Sequence, residues 1–144
     1  MARLATAGEL MIDPPDDPSE RERQVARVLS AFPYVAQEPD WLAFLTAYGG
    51  LTYVREREPR FSTGFFGVSY RASDHIIDGE GEPVSDGCLV ICDSDPPIIG
   101  GYLAFGFDAT GARRWGVYGV TESGSEWYAE SFREWFADFV AAAE

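Results

Sequence analysis

The chain has no lysine and no asparagine, so all 11 basic residues are arginine, which reads as a coding bias towards GC-rich codons and carries no chemistry. It has one histidine, His75, and two cysteines, Cys88 and Cys92. Nucleophilic chemistry of the Ser-His-Asp or Cys-His kind would therefore have to run through His75. That residue lies in Ser73-Asp74-His75-Ile76-Ile77-Asp78, where a solvated or hydrogen-bonded loop imidazole is the plainer reading. Two thiols and one imidazole do not complete a four-ligand zinc site without carboxylates. In a regular strand Cys88 and Cys92 share a face at a separation of roughly 13 Å, too far for a disulfide, so both are expected as buried thiols. No G-x-S-x-G elbow, phosphate-binding loop or dinucleotide fingerprint follows a predicted strand. Asp93-Ser94-Asp95 and Asp13, Asp16 and Asp17 are the nearest approach to a hard-cation site, but neither continues into a calcium loop with its closing Glu. No cofactor and no metal are expected. Paired acids for glycoside hydrolysis have a separation set in three dimensions, and nothing in the sequence specifically supports them. No apolar run approaches the ~20 residues that span a bilayer. The opening Met1–Glu9 lacks the apolar core of a signal peptide, so a cytoplasmic location is the expectation.

What the chain does have is acid. Its 144 residues carry 24 acidic against 11 basic side chains, a net charge of −13. Such a surface repels phosphates, which disfavours nucleic acid as a partner. The distribution is lopsided. Between Arg71 and Arg113 there is no basic residue, while Asp74, Asp78, Glu80, Glu82, Asp86, Asp93, Asp95 and Asp108 all fall there. One reading is a solvated acidic loop region that keeps the protein soluble. The other is an anionic patch that draws in a basic protein, because such a field speeds encounter and rejects acidic competitors. On the second reading the candidate partner-binding residues are Asp74, Asp78, Glu80, Glu82 and Asp86. The alternative contact surface is aromatic, with Tyr102 and Tyr118 on the predicted sheet.

A chain of this length fits one domain and buries about 68–70% of its unfolded surface on folding. With 46% hydrophobic and 15% aromatic residues it has ample material for a core. Residues 1–18, ending in Asp13-Pro14-Pro15-Asp16-Asp17-Pro18, read as a flexible acidic, proline-rich leader, leaving 19–144 as the domain. A helix opens at a Ser19–Glu22 capping box, carries Val25, Val28, Leu29 and Phe32 on one face, and stops at Pro33. A second runs from about Pro39 to Tyr48 with Trp41, Phe44, Leu45 and Tyr48 as its buried stripe, and Gly49-Gly50 supplies its left-handed cap. From Leu51 the period shortens to two: Leu51–Arg57, Phe65–Tyr70, the doubly apolar Cys88–Cys92, Tyr102–Phe107 and Arg113–Val120 read as strands, with Asp108-Ala109-Thr110-Gly111 as a hairpin turn. A last helix near 131–142 opens with an S-x-x-E box, Ser131 to Glu134. It presents Phe132, Trp135, Phe136, Phe139 and Val140 at i, i+3, i+4, i+7 and i+8, a solidly aromatic face. Two helices, a run of antiparallel strands and a closing helix predict a single α+β domain.

Three of these segments carry a resemblance. Trp41-Leu42-Ala43-Phe44-Leu45-Thr46-Ala47-Tyr48-Gly49-Gly50-Leu51 is similar to the helix ending "L-x-x-(Y/N)-G-G" of the SUKH superfamily (SMI1/KNR4-like domains). Phe105-Gly106-Phe107-Asp108-Ala109-Thr110-Gly111, followed by Val117-Tyr118, resembles the central hairpin of that family. The closing helix of pattern A-x-S-F-x-x-W/F-F resembles its ending. Together they span most of residues 19–142. The chain departs from the pattern in a more aromatic hairpin, in Gly100-Gly101 ahead of it, and in the loop from Asp74 to Asp86, which matches no family motif. The resemblance implies an α+β fold and a binding protein without catalysis. Its implied role is that of a bacterial immunity protein, which neutralises a toxin domain, often a nuclease or deaminase, by occlusion. The alternatives are a regulatory protein-interaction module of the same fold and, from another class, a small hydrolase using scattered acids.

Overall fold

In the computed structural model, which describes residues 1–12, 17–65, 71–73, 88–95, 102–107, 114–121 and 124–144, local signals and packing can be followed element by element. Helix α2 (Pro18–Ala31) is capped by the Asp17 carboxylate, which accepts from the Ser19 N–H at 2.9 Å. The expected Ser19 cap is thus two residues too late, because Pro18 takes the first helical position, where its missing N–H costs nothing. A short 3-10 turn, Pro33–Gln37, leads into α3 (Pro39–Tyr48), whose ends fall where the sequence puts them. Gly49 closes α3 in the left-handed region, at φ 69°. Helix α4 (Phe132–Ala143) has Ser131 as its N-cap, whose Oγ accepts from the Glu134 N–H at 3.2 Å. The Glu134 carboxylate reaches back to the Glu130 N–H at 2.8 Å, one residue beyond the position of a standard box.

The strands are β1 (Glu9–Ile12), β2 (Leu51–Arg55), β3 (Phe61–Phe65), β4 (Arg71–Ser73), β5 (Cys88–Asp95), β6 (Tyr102–Phe107), β7 (Trp115–Thr121) and β8 (Gly124–Ala129). They form one antiparallel sheet in the order β1-β2-β3-β5-β6-β7-β8, with β4 also paired to β5. Helices stand at both ends of the described chain and pack on the sheet, so the architecture is the single α+β domain that the sequence predicts. The expected Leu51–Arg57 strand ends at Arg55. The second begins four residues early, at Phe61, and positions 66–70 of the expected Phe65–Tyr70 strand lie outside the described residues. So does the expected turn Asp108–Gly111.

The leader expected over residues 1–18 is corrected in its first twelve. Helix α1 (Ala2–Ala7) leads straight into β1, which pairs along its whole length with β2, Glu9 opposite Val54 and Ile12 opposite Leu51. Leu4 is fully buried in the core. The physical reason is that a segment this short shows no clear periodicity of its own, and an existing sheet edge supplies its hydrogen-bonding partners, while Met1 and Leu10 pack against the core beside Leu4.

Register sorts the strand residues onto two faces. Leu51, Phe65, Cys92 and Leu103 form one lateral row and Leu89, Phe105, Val117 and Ala129 another, both turned to the helices. Phe65 is the hub. Its ring lies 5.3–5.9 Å from those of Phe44, Trp135, Phe136 and Phe139, all in tilted or edge-on geometry. Trp41 meets Phe105 edge-on at 5.4 Å. A bulge between Val90 and Cys92 breaks the alternation of β5, so the phase that would align positions 88 and 92 in a regular strand is interrupted. Cys92 is buried on the helix side. On the opposite face Val90, Ala104 and Tyr118 are also buried, which bears out β5 as a central strand covered on both sides.

Candidate partner-binding surface

The five acids that the sequence singles out, Asp74, Asp78, Glu80, Glu82 and Asp86, lie outside the described residues, as does His75. The alternative aromatic surface changes. The Tyr102 side chain falls outside the described ones. Tyr118 is 3% exposed and donates its hydroxyl to the Arg114 carbonyl at 2.5 Å, so it is a satisfied interior group and no contact residue.

Acid is concentrated instead, among the described residues, where β8 runs into α4. Glu126, Glu130, Glu134 and Asp138 are all exposed there. Glu134 and Asp138 stand one turn apart on the helix, a like-charge i,i+4 pair that costs the helix a few tenths of a kcal/mol. Beside them Tyr128 is exposed and points its hydroxyl at Glu126, 3.4 Å away. Partial burial pushes the Tyr128 phenol above its ordinary range, and the Glu126 carboxylate adds to the shift. At neutral pH the tyrosine is therefore a neutral donor beside one carboxylate. Arg114 closes one flank: its guanidinium stacks 3.5 Å over the Trp127 ring and approaches Glu130 at 3.5 Å. The indole fits because residue 116 is glycine; a Cβ there would sit 2.4 Å from the Trp127 Nε1 and 2.6 Å from the Ala129 carbonyl. An exposed aromatic with a carboxylate beside it is suited to a protein surface carrying arginine or lysine.

Two buried polar groups that the sequence reading missed tie the helices to their neighbours, and the first of them fixes the start of α4. Glu38, 3% exposed, ends the 3-10 turn and sends its carboxylate to two donors. They are the Trp115 Nε1–H on β7 at 2.8 Å and the backbone N–H of Phe132, first residue of α4, at 3.0 Å. A carboxylate at a helix N-terminus satisfies an orphan donor and complements the helix dipole. Arg21 on α2, 5% exposed, donates to the Leu45 carbonyl at 3.0 Å, at the opposite pole of α3. Neither residue stands out in a periodicity reading, because an isolated charge on an amphipathic segment reads as solvated. At the chain's two ends, Arg3 grips Glu144 through Nε at 2.5 Å and Nη2 at 2.7 Å, over a pocket of about 310 Å³ that Thr6, Ala7 and Arg57 also line. The Arg57 guanidinium donates there to the Ala143 carbonyl at 3.4 Å.

Asp93, Ser94 and Asp95, weighed above for a cation, belong to β5, where their backbones pair with Gly64, Thr63 and Ser62. Among the described residues no group of three His, Cys, Asp or Glu is placed to hold a metal ion, and no helix is long and apolar enough to cross a membrane. The fold and surface define an acidic α+β domain built on one antiparallel sheet. Compared with protein-family models, with curated proteins and with solved structures, the chain gives no significant match.

Proposed function

We propose that this chain is a cytoplasmic immunity protein of the SUKH type, which binds a cognate toxin domain such as a nuclease or deaminase and neutralises it by stoichiometric occlusion. The observation that carries the reading is the charge. A domain of net −13, with no basic residue between Arg71 and Arg113, is built to attract a basic protein and to compete with phosphate for it. The exposed Glu126, Glu130, Glu134 and Asp138 of β8 and α4 add carboxylates of the same sign among the described residues. Support also comes from the three motifs that resemble the superfamily: the α3–Gly-Gly–β2 unit, the β6–β7 hairpin and α4 all line one core.

The test is a pull-down with the toxin domain encoded beside this gene, followed by rescue of cells that express the toxin. Reversing Asp78, Glu82 and Asp86 to Lys is expected to slow association and flatten its salt dependence, since exposed charges act over about 8 Å at physiological salt and mainly on encounter. Unchanged rates and unchanged protection would make the 74–86 acids a solvated face. Failure of the wild-type chain to bind or protect would sink the immunity reading itself.

A further inference from the structure

The two edges of the sheet are built differently. Strand β8, at one end, is bulged against β7 and carries exposed Glu126, both of which discourage another strand from pairing. Strand β1, at the other end, has no bulge, and its one charged residue, the exposed Glu9, stands at its first position, leaving Leu10, Met11 and Ile12 uncharged. It pairs with β2 in unbroken register and contains no proline and no basic residue. Three large apolar side chains are exposed among the described residues, and two of them are here, Met11 at 50% and Ile12 at 45%. Alternation puts them on opposite faces: Ile12 beside Leu51 on the helix side, Met11 beside Thr52 on the other. An added strand would cover both at once, while its main chain would use the outward backbone groups of β1, which no other strand among the described residues pairs.

We infer that the outer edge of β1 is a strand-addition site that accepts an extended segment of a basic protein, apolar in its middle and carrying arginine or lysine at its ends. The charge around the edge selects that occupant. Glu9, which opens the strand, is exposed, and the chain as a whole carries −13. The nearest cation on β2, Arg55, is turned to the Phe61 ring at 5.9 Å and to the Pro59 carbonyl at 3.4 Å. A second copy of the chain fits less well, because it brings another −13 to the same edge. This inference does not rest on the immunity reading: it concerns a different surface and requires only a basic strand.

The experiment uses the full chain, isotopically labelled, titrated with three synthetic six-residue peptides and followed by amide chemical shifts. The first alternates threonine and valine between two terminal arginines, the second replaces the arginines with glutamates, and the third places proline at a central position of the first. The expected result is saturable shifts at Glu9–Ile12 and the paired Leu51–Val54 with the arginine peptide. Binding should be at least about tenfold weaker for the glutamate peptide and lost for the proline peptide, which cannot donate to the ladder. Ile12→Lys should weaken the arginine peptide while leaving core shifts in place. Shifts confined to other residues, equal binding of all three peptides, or a wild-type dimer dispersed by Ile12→Lys would each overturn the inference.

Discussion

Removing the Glu38 carboxylate should loosen the docking of α4 more than any exposed substitution could. The residue joins three elements: the turn before α3 on its own backbone, β7 through Trp115 at 2.8 Å, and α4 through the Phe132 N–H at 3.0 Å. A hydrogen bond to a charged group contributes about 1.5–3 kcal/mol net, and both donors would be left in a largely buried setting. Against that stands the relief of no longer burying a carboxylate. For Glu38→Ala the balance comes to roughly 2–4 kcal/mol of lost stability. Glu38→Gln keeps one acceptor for one of the two donors and should lose about half as much. Urea unfolding of both variants measures the totals, and a cycle with Trp115→Phe isolates the indole bond, with an expected coupling of about 1–2 kcal/mol. A loss below about 1 kcal/mol for Glu38→Ala, or no coupling to Trp115, would refute the argument that this carboxylate ties β7 to α4.

Trp135→Ala should cost about 3–5 kcal/mol, because the ring is 8% exposed and packed on Phe65, Phe132 and Phe139; chemical denaturation reads it directly. Gly49→Ala combines a left-handed φ of 69° with a Cβ only 2.6 Å from the Arg21 guanidinium. It is expected to cost at least about 1–2 kcal/mol in thermal or urea unfolding. The Arg3–Glu144 pair predicts a pH dependence. Its hydrogen bond with Arg3 holds the Glu144 carboxyl below the ordinary carboxylate range. Its contribution is therefore present above the unfolded-state value and lost as pH falls through the depressed folded value. Hydrogen exchange should show α1 protection falling in that acid window, more gently at high salt, and Glu144→Gln should remove the step.

The sequence by itself determined the elements whose signals are local. Proline at a first helical position, the Gly49 cap and the Ser131–Glu134 spacing act within one turn of backbone, so α3 and α4 lie within a residue of their expected limits. The alternation of Tyr102–Phe107 is as local, and that strand matches residue for residue. Tertiary structure decided the rest. Strand β1 exists because β2 offers it a ladder. No strand is expected from the sequence between Val120 and the last helix, and only the pairing of Gly124–Ala129 with β7 makes that segment a sheet edge. The bulge in β5 depends on its neighbours, and the burial of Glu38, Arg21 and Tyr118 depends on elements far along the chain. An acidic chain announces its charge in its composition, but which carboxylates face a partner and which one pins a helix is a matter of where the backbone carries them.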